Sequence, residues 1–342
     1  MCLCHIVPAD VLDQLSRDGG FESHHRERLA NDAILTRQST EQRRHAHERN
    51  GLAASPAAAP SPTLGSPSIT VSDCRHGMTL PGAPIADPAT SSDITAKNAA
   101  VAARQVFDFY STVFGRNSID NAGMPIESAV HFGNRFNNAT WDGVRMVYGA
   151  GDGEIFTDFT QASDVICHEM THGVIQHSLQ LEYQEEPGGL NESLADVFGS
   201  MFRQWRAGQP VDAADWVIGK DIIGPVAKQR GFTCLRDMAN PDAAHCVSRQ
   251  PIHFSGYHDG MDPHISSGIA NRAFTTAARA IGGKSWEQTG QIWYRAITSS
   301  GGQPFMTMKQ FADLTRQHAQ AIFPDTARIA TGVDDGWKSV GL

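Results

Sequence analysis

No stretch of this sequence approaches the roughly 18 consecutive apolar residues that a membrane-crossing helix needs, so no membrane span is expected. The opening, Met-Cys-Leu-Cys-His-Ile-Val-Pro-Ala-Asp, has neither a basic n-region nor an uninterrupted apolar h-region. No signal peptide is therefore visible, and the chain either remains a cytoplasmic precursor or is exported by a non-standard route. Cation excess is missing too. The formal net charge is −9 and the pI about 5.9, whereas binding to phosphates needs clustered Lys and Arg; nucleic acid is not an expected partner. The one basic-looking stretch, Arg43 and Arg44 with Arg49, is interleaved with His and Glu and reads as a solvated helix face. Cysteine is sparse: six in 342 residues do not make a disulfide scaffold. Cys2 and Cys4 crowd the start, Cys74 and Cys167 stand alone, and Cys234 and Cys246 flank a short polar segment, where they could pair or remain free thiols.

What is present is enough apolar residue, 40% of the chain, for a sizeable core and about two domains. Residues 1–50 are polar and rich in His and Arg, with helical spacing around Glu27–Gln38. Residues 51–68 are almost all Ala, Pro, Ser and Gly, a composition that cannot bury a core and reads as a linker. From Ile69 to Asp158 short β-prone runs alternate with Gly, Asn and Asp, apart from a helical Ala96–Phe114. From Ser163 onward the texture is helical: Ser163–Gln180, Leu190–Ala207, Ser267–Ile281, Ser285–Thr298 and Thr307–Ile322 repeat apolar residues every three or four positions. Thr307 with Gln310 forms a capping-box pattern, and Gly282–Gly283 closes the helix ending at Ile281.

Chemistry concentrates in two segments. Val165-Ile-Cys-His-Glu-Met-Thr-His-Gly contains H-E-x-x-H. On a helix, positions i and i+4 share a face, so His168 and His172 can offer two imidazoles to one metal ion. Glu169, one position round, can reach a water rather than the metal. Cys167 points elsewhere on that helix and reads as a small buried residue. The second segment is Gly188-Gly-Leu-Asn-Glu-Ser-Leu-Ala-Asp-Val-Phe-Gly, in which the glycine pair ends a loop and Asn191 and Glu192 open a helix. A catalytic zinc takes three protein ligands and keeps one open position. Glu192 supplies the third, and Asp196, one turn on, can accept the distal N–H of a ligand histidine. A purely structural zinc site would want a fourth protein ligand, and an inactive peptide-binding module would not need Glu169. No device for gripping a free chain terminus, as an exopeptidase requires, is evident.

These two segments resemble those of the thermolysin family of zinc metallopeptidases. The resemblance extends to Phe136-Asn-Asn-Ala-Thr-Trp-Asp-Gly and Met146-Val-Tyr-Gly-Ala-Gly-Asp-Gly, similar to the family's substrate-binding edge strand and the turn after it. It includes Cys234-Leu-Arg-Asp-Met, Asp259 through Ser267-Gly-Ile, and Ile292-Trp-Tyr-Arg-Ala, and runs from about residue 70 to the end. It implies an α+β, two-lobed fold: a β-rich lobe over 69–180 ending in the zinc helix, and an α-helical lobe over 181–342. It also implies a neutral endopeptidase acting on peptides or proteins. His168, His172 and Glu192 would bind one zinc, with Glu169 as general base. His264 and Tyr183 would hydrogen-bond the oxyanion, with Asp259 orienting His264. Asn138, Ala139 and Arg236 would hold the peptide backbone, and Asn191 and Asp196 would support the ligands.

By the same resemblance, Phe156, Phe159, Val165, Ile218, Ile222 and Leu235 line the pocket for the residue after the scissile bond, which should then be hydrophobic. Residues 1–50 would be a short inhibitory propeptide removed near the linker, and the mature enzyme would be secreted. His5-Ile-Val-Pro-Ala-Asp-Val-Leu resembles the proline-containing motif of short-propeptide members; a thiolate from Cys2 or Cys4 reaching the zinc is the alternative. The family's double-calcium site would keep Asp164 and Asp215. Arg203, Val217 and Lys220 stand where its other carboxylates would be. Two ions need several shared oxygen ligands, so Arg203 and Lys220 are expected to replace them by pairing with the two aspartates.

Overall fold

The computed structural model describes residues 5–50, 65 and 67–342, with side chains omitted for 42–50. Cys2, Cys4 and nearly all of the 51–68 stretch lie outside the described residues. The chain starts with two helices, α1 (Ala9–Ser16) and α2 (Ser23–Asn50). Val11, Leu12 and Leu15 of α1 are buried, as are Leu29, Ala33 and Thr36 of α2. In each case the spacing gathers the buried residues on one helix face.

A five-stranded sheet follows, built from β1 (Ile69–Asp73), β2 (Ala83–Pro84), β3 (Ile126–Val130), β4 (Ala139–Trp141) and β5 (Met146–Tyr148) in the order β2-β1-β3-β5-β4. β1, β3 and β5 run parallel, while β2 and β4 pair antiparallel at the two edges. The β1–β3 crossover is α3 (Ile94–Phe114). It starts where Asp93 Oδ1 accepts the N–H groups of Thr95 and Ala96, and stops at Gly115 with φ 67°, a left-handed position that glycine adopts without strain. All three residues of edge strand β4 are buried. An edge strand is normally open on one side; here the N–H of Ile6 bonds to the Ala139 carbonyl at 3.0 Å and covers it.

The remaining elements are α4 (Ser163–Gln176), α5 (Glu185–Ala207), the ribbon of β6 (Val217–Ile218) with β7 (Arg236–Asp237), the short α6 (Pro225–Gln229) between them, α7 (Pro263–Ile281), α8 (Gln288–Thr298), α9 (Met308–Ile322) and α10 (Ala327–Lys338). Helix α4 is buried from Asp164 to Ile175 and forms the floor between the sheet and the helices. The Thr307–Gln310 capping box is formed, and Gly282 ends α7.

Two readings of the sequence are corrected. α5 starts at Glu185, so Gly188 and Gly189 lie within it rather than ending a loop. Their smallness serves packing. A Cβ on Gly188 would sit 2.8 Å from Pro263, and one on Gly189 2.2 Å from the Ser266 hydroxyl. Helix α10 was not anticipated, although Ile329, Val333 and Trp337 bury one face of it and Trp337 stacks on Trp293 at 6.0 Å.

Candidate active site

Helices α4 and α5 pack closely because position 199 is glycine: a Cβ there would lie 2.8 Å from the Asp164 carbonyl oxygen. That proximity brings His168, His172 and Glu192 together, all fully buried, with one ligand atom from each within 4.8 Å of the others. Both imidazoles are oriented from behind. His168 Nδ1 lies 2.9 Å from Asp196 Oδ1, and His172 Nδ1 lies 2.9 Å from Asn191 Oδ1. Asp196 also accepts from Arg236 Nε and Nη2, each at 2.7 Å, and from Asn271 Nδ2 at 2.9 Å. Burial opposes its ionisation, but the Arg236 charge and the hydrogen bond with His168 hold it well below the usual carboxylate range.

With protons on both Nδ1 atoms, the two Nε2 lone pairs face each other 3.0 Å apart. Glu192 reaches within 3.4 Å of His168 Nε2 and 3.5 Å of His172 Nε2. Its Oε2 and both oxygens of Glu169 are buried without a hydrogen-bond partner among the described residues. Buried acceptors left without donors are costly, and a cation among them removes that cost. Two imidazoles and one carboxylate are the donor set of a catalytic zinc, so the residues fit that metal. Burial pushes the Glu169 carboxyl up to about 7, with the Glu192 charge adding to it. Burial likewise depresses His172 to about 3, whereas at His168 the contacts with Asp196 and Glu192 outweigh burial and raise it to about 9.

On the other side of the cleft, Tyr183 donates to Glu192 Oε1 at 2.6 Å and lies 3.1 Å from His264 Nε2. The residue that orients His264 is Asp262, not Asp259: Asp262 Oδ1 lies 2.9 Å from His264 Nδ1 and also accepts the His264 backbone N–H at 2.8 Å. The reason lies in the helix start. Asp262 is the N-cap of α7, ahead of Pro263, which places its carboxylate over the first turn where His264 projects. Burial opposes a charged His264, but Glu192 and Asp262 outweigh it and raise its pKa.

The N-terminal segment runs through this cleft. Ile6 donates to the Ala139 carbonyl at 3.0 Å and accepts from Arg236 Nη1 at 2.9 Å. Val7 donates to Asn138 Oδ1 at 3.0 Å and accepts from Asn138 Nδ2 at 2.9 Å. The His5 carbonyl faces His264 Nε2 at 2.5 Å. Ile6 and Val7 are buried. The six apolar residues expected to line a side-chain pocket, Phe156, Phe159, Val165, Ile218, Ile222 and Leu235, are all buried in the main core.

A second polar knot lies near the start of α4. Arg203 donates to Asp164 Oδ2 at 3.2 Å and to the Val217 carbonyl at 2.7 Å, and also pairs with Asp215. Lys220 reaches Asp215 at 2.6 Å but not Asp164, whose second support is the Gly219 N–H at 3.0 Å. The expected pairing is thus present, with Arg203 serving both carboxylates and Lys220 only one.

Sequence reasoning missed the polar seam between α2 and the rest of the chain. Asn137 Nδ2 donates to buried Asp32 at 2.9 Å and to Asp152 at 3.1 Å, and His25 Nε2 lies 3.0 Å from Glu154. Nothing in the spacing of these residues announces a contact across more than a hundred positions.

Both halves of the chain match the family models of the thermolysin metallopeptidases: the catalytic domain over residues 75–176 and the alpha-helical domain over 179–342. The chain is 35% identical to an extracellular metalloprotease of Pectobacterium carotovorum subsp. carotovorum, over 99% of this chain and 96% of that one. It is 37% identical to protease PrtS of a Photorhabdus species, over 80% of this chain and 76% of the relative. The solved precursor of protealysin, a metalloproteinase from Serratia proteamaculans, superposes with a TM-score of 0.83 at 32% identity, covering 99% of each chain. The chain belongs to the thermolysin family of metallopeptidases. It is a zinc metalloendopeptidase, and the buried His168, His172 and Glu192 are compatible with holding the zinc.

Proposed function

We propose that the chain is made as a zymogen, held inactive by residues 1–50, whose mature form cuts internal peptide bonds before hydrophobic residues. The observation that carries this reading is the hydrogen bonding of His5, Ile6 and Val7 to Ala139, Asn138, Arg236 and His264. Every one of these bonds is made to backbone of the bound segment. A cleft that grips backbone accepts many sequences in an extended form. In this register the His5 carbonyl takes the place of a scissile carbonyl, and fully buried Ile6 takes that of the residue after it. An apolar residue there agrees with the apolar character of the six pocket candidates.

The roles follow from position. His168, His172 and Glu192 would hold zinc, which when bound supplies a Lewis acid that polarises a carbonyl and acidifies water. Glu169, buried with both oxygens unpaired, takes a proton as water adds to the carbonyl carbon. As the C–N bond breaks, it passes that proton to the leaving amine. His264, held by Asp262, donates to the carbonyl oxygen as it gains negative charge. Tyr183 joins it when its hydroxyl leaves Glu192. Asn138, Ala139 and Arg236 keep the peptide extended along β4, while Asp196 and Asn191 keep the imidazole lone pairs aimed inward. Export from the cell accords with the description of the Pectobacterium relative as extracellular.

The test compares wild-type and Glu169→Ala precursors. Wild type should shorten to a form lacking about the first 50 residues and gain activity, while the variant stays full length. Equal, full activity of an unshortened wild type would defeat the zymogen reading. A peptide library cut mainly before Lys, Asp or Glu would defeat the specificity.

A further inference from the structure

Away from the active-site ligands, Cys234, His245 and Cys246 bring one ligand atom each within 4.8 Å of one another. The two cysteines are buried, and both are free thiols. They are held side by side by backbone pairing. Thr233 donates to the His245 carbonyl at 3.0 Å, Val247 to the Cys234 carbonyl at 3.0 Å, and Ser248 to the Leu235 carbonyl at 2.9 Å. The sulfurs stand 3.9 Å apart. Two sulfurs on a tetrahedral zinc with Zn–S near 2.3 Å stand about 3.8 Å apart, whereas a disulfide needs about 2.05 Å. The His245 ring is partly exposed, and its Nε2 lies 3.4 Å from Asp237 Oδ2. Asp237 Oδ1 accepts from the N–H groups of Ala239 and Asn240, and it is Oδ2 that lies beside His245.

We propose that Cys234, Cys246 and His245, with Asp237 Oδ2 as the fourth donor, form a second zinc site, closed and structural rather than catalytic. Two thiolates, an imidazole and a carboxylate complete a tetrahedron and leave no open position for substrate. On binding, the two thiols release their protons to solvent. The ion would clamp both ends of the 234–246 segment. That segment carries Arg236, which donates to Asp196 and to the carbonyl of Ile6. The site is independent of whether the N-terminal segment inhibits.

The test uses the full-length precursor, purified under reductant and loaded with zinc or with cobalt alone. Two zinc equivalents per chain are expected, falling to one in Cys234→Ser, in Cys246→Ser and, for the other site, in His168→Ala. Cobalt-loaded wild type and cobalt-loaded His168→Ala should both show a thiolate-to-metal charge-transfer band, which the sulfur-free catalytic ligands cannot give. Cobalt spectra of the wild type need no cysteine substitution, so misfolding of the serine variants would not blunt the test. A single equivalent lost in His168→Ala, with no thiolate band, would overturn the proposal. So would a Cys234–Cys246 disulfide in protein whose thiols were blocked at lysis, because a disulfide has no thiolate to donate.

Discussion

Two buried polar sites share the α4–α5 helix pair and have resolved opposite problems. At His168, His172 and Glu192, acceptors converge, and although Tyr183 donates to Glu192 Oε1, Glu192 Oε2 has no donor among the described residues and Glu169 adds two more unpaired oxygens. Near the start of α4, Asp164 is just as buried, but Arg203 and the Gly219 N–H engage it, and Lys220 with Arg203 engages Asp215. The first place is shaped for an ion to arrive; in the second, side-chain cations already meet the carboxylate charge. A carboxylate cluster is therefore a metal site only when its counter-charges are missing, and the inventory of unpaired atoms separates the two cases.

The contrast can be broken most severely at Glu169. Glu169→Ala should lower the turnover number by on the order of 10^2–10^4-fold while zinc content, measured on the same sample, stays at the wild-type level. Loss of zinc along with activity would make Glu169 a ligand. Next, Arg203→Ala should destabilise the zinc-loaded protein by about 3–5 kcal/mol, the range for stranding a buried carboxylate, read as a lowered urea midpoint. Lys220→Ala, removing a half-exposed partner, should cost under about 1 kcal/mol. A calcium-selective chelator should leave the thermal midpoint unchanged, since the two carboxylates are already paired. A fall of many degrees would mean that a calcium site survives.

Smaller effects sharpen the picture around the cleft. Asp262→Asn should reduce turnover about 10-fold, in the range for losing an orienting partner, with Asp259→Asn close to wild type. The reverse order would restore the sequence-based assignment.

The seam between α2 and the rest of the chain should respond to pH. Burial, with the neighbouring Asp152 charge, lifts Asp32 from 3.8 to about 7, against the hydrogen bonds from Asn137 and the Arg28 charge. The docked segment keeps a proton that the undocked segment releases near the ordinary aspartate value. Docking is then tightest below about pH 4, weakens as pH rises to about 7, and is level above that. Asp32→Asn removes the loss. It should gain activity at the wild-type rate near pH 4 and at least about ten-fold more slowly at pH 7. An equal ratio of rates at both pH values would show that Asp32 does not couple docking to pH.

Much of the zinc site was legible because metal ligation imposes local spacing: i and i+4 on α4, and Glu192 with Asp196 one turn apart on α5. The Arg203 and Lys220 substitutions were legible as changes of charge sign at positions where a family resemblance implied carboxylates. What escaped was non-local. Gly188 and Gly189 signal a turn in isolation, but their contacts are Pro263 and Ser266, some eighty positions on. The role of Asp262 depends on where α7 starts, which the Pro263 signal could have indicated. The Asp32–Asn137–Asp152 seam follows from docking of the N-terminal segment, and no periodicity records it.

The central claim, a zinc endopeptidase restrained by its own N-terminal segment, is tested most directly by following one digestion. Purified full-length chain is incubated with casein, with and without a zinc chelator, and all new N-termini are sequenced over time. The expected result is loss of about the first 50 residues of the chain, then casein cleavage before Leu, Ile or Phe, with casein cleavage abolished by the chelator. Casein left intact after the segment is gone, or cut equally well in the chelator, would contradict it.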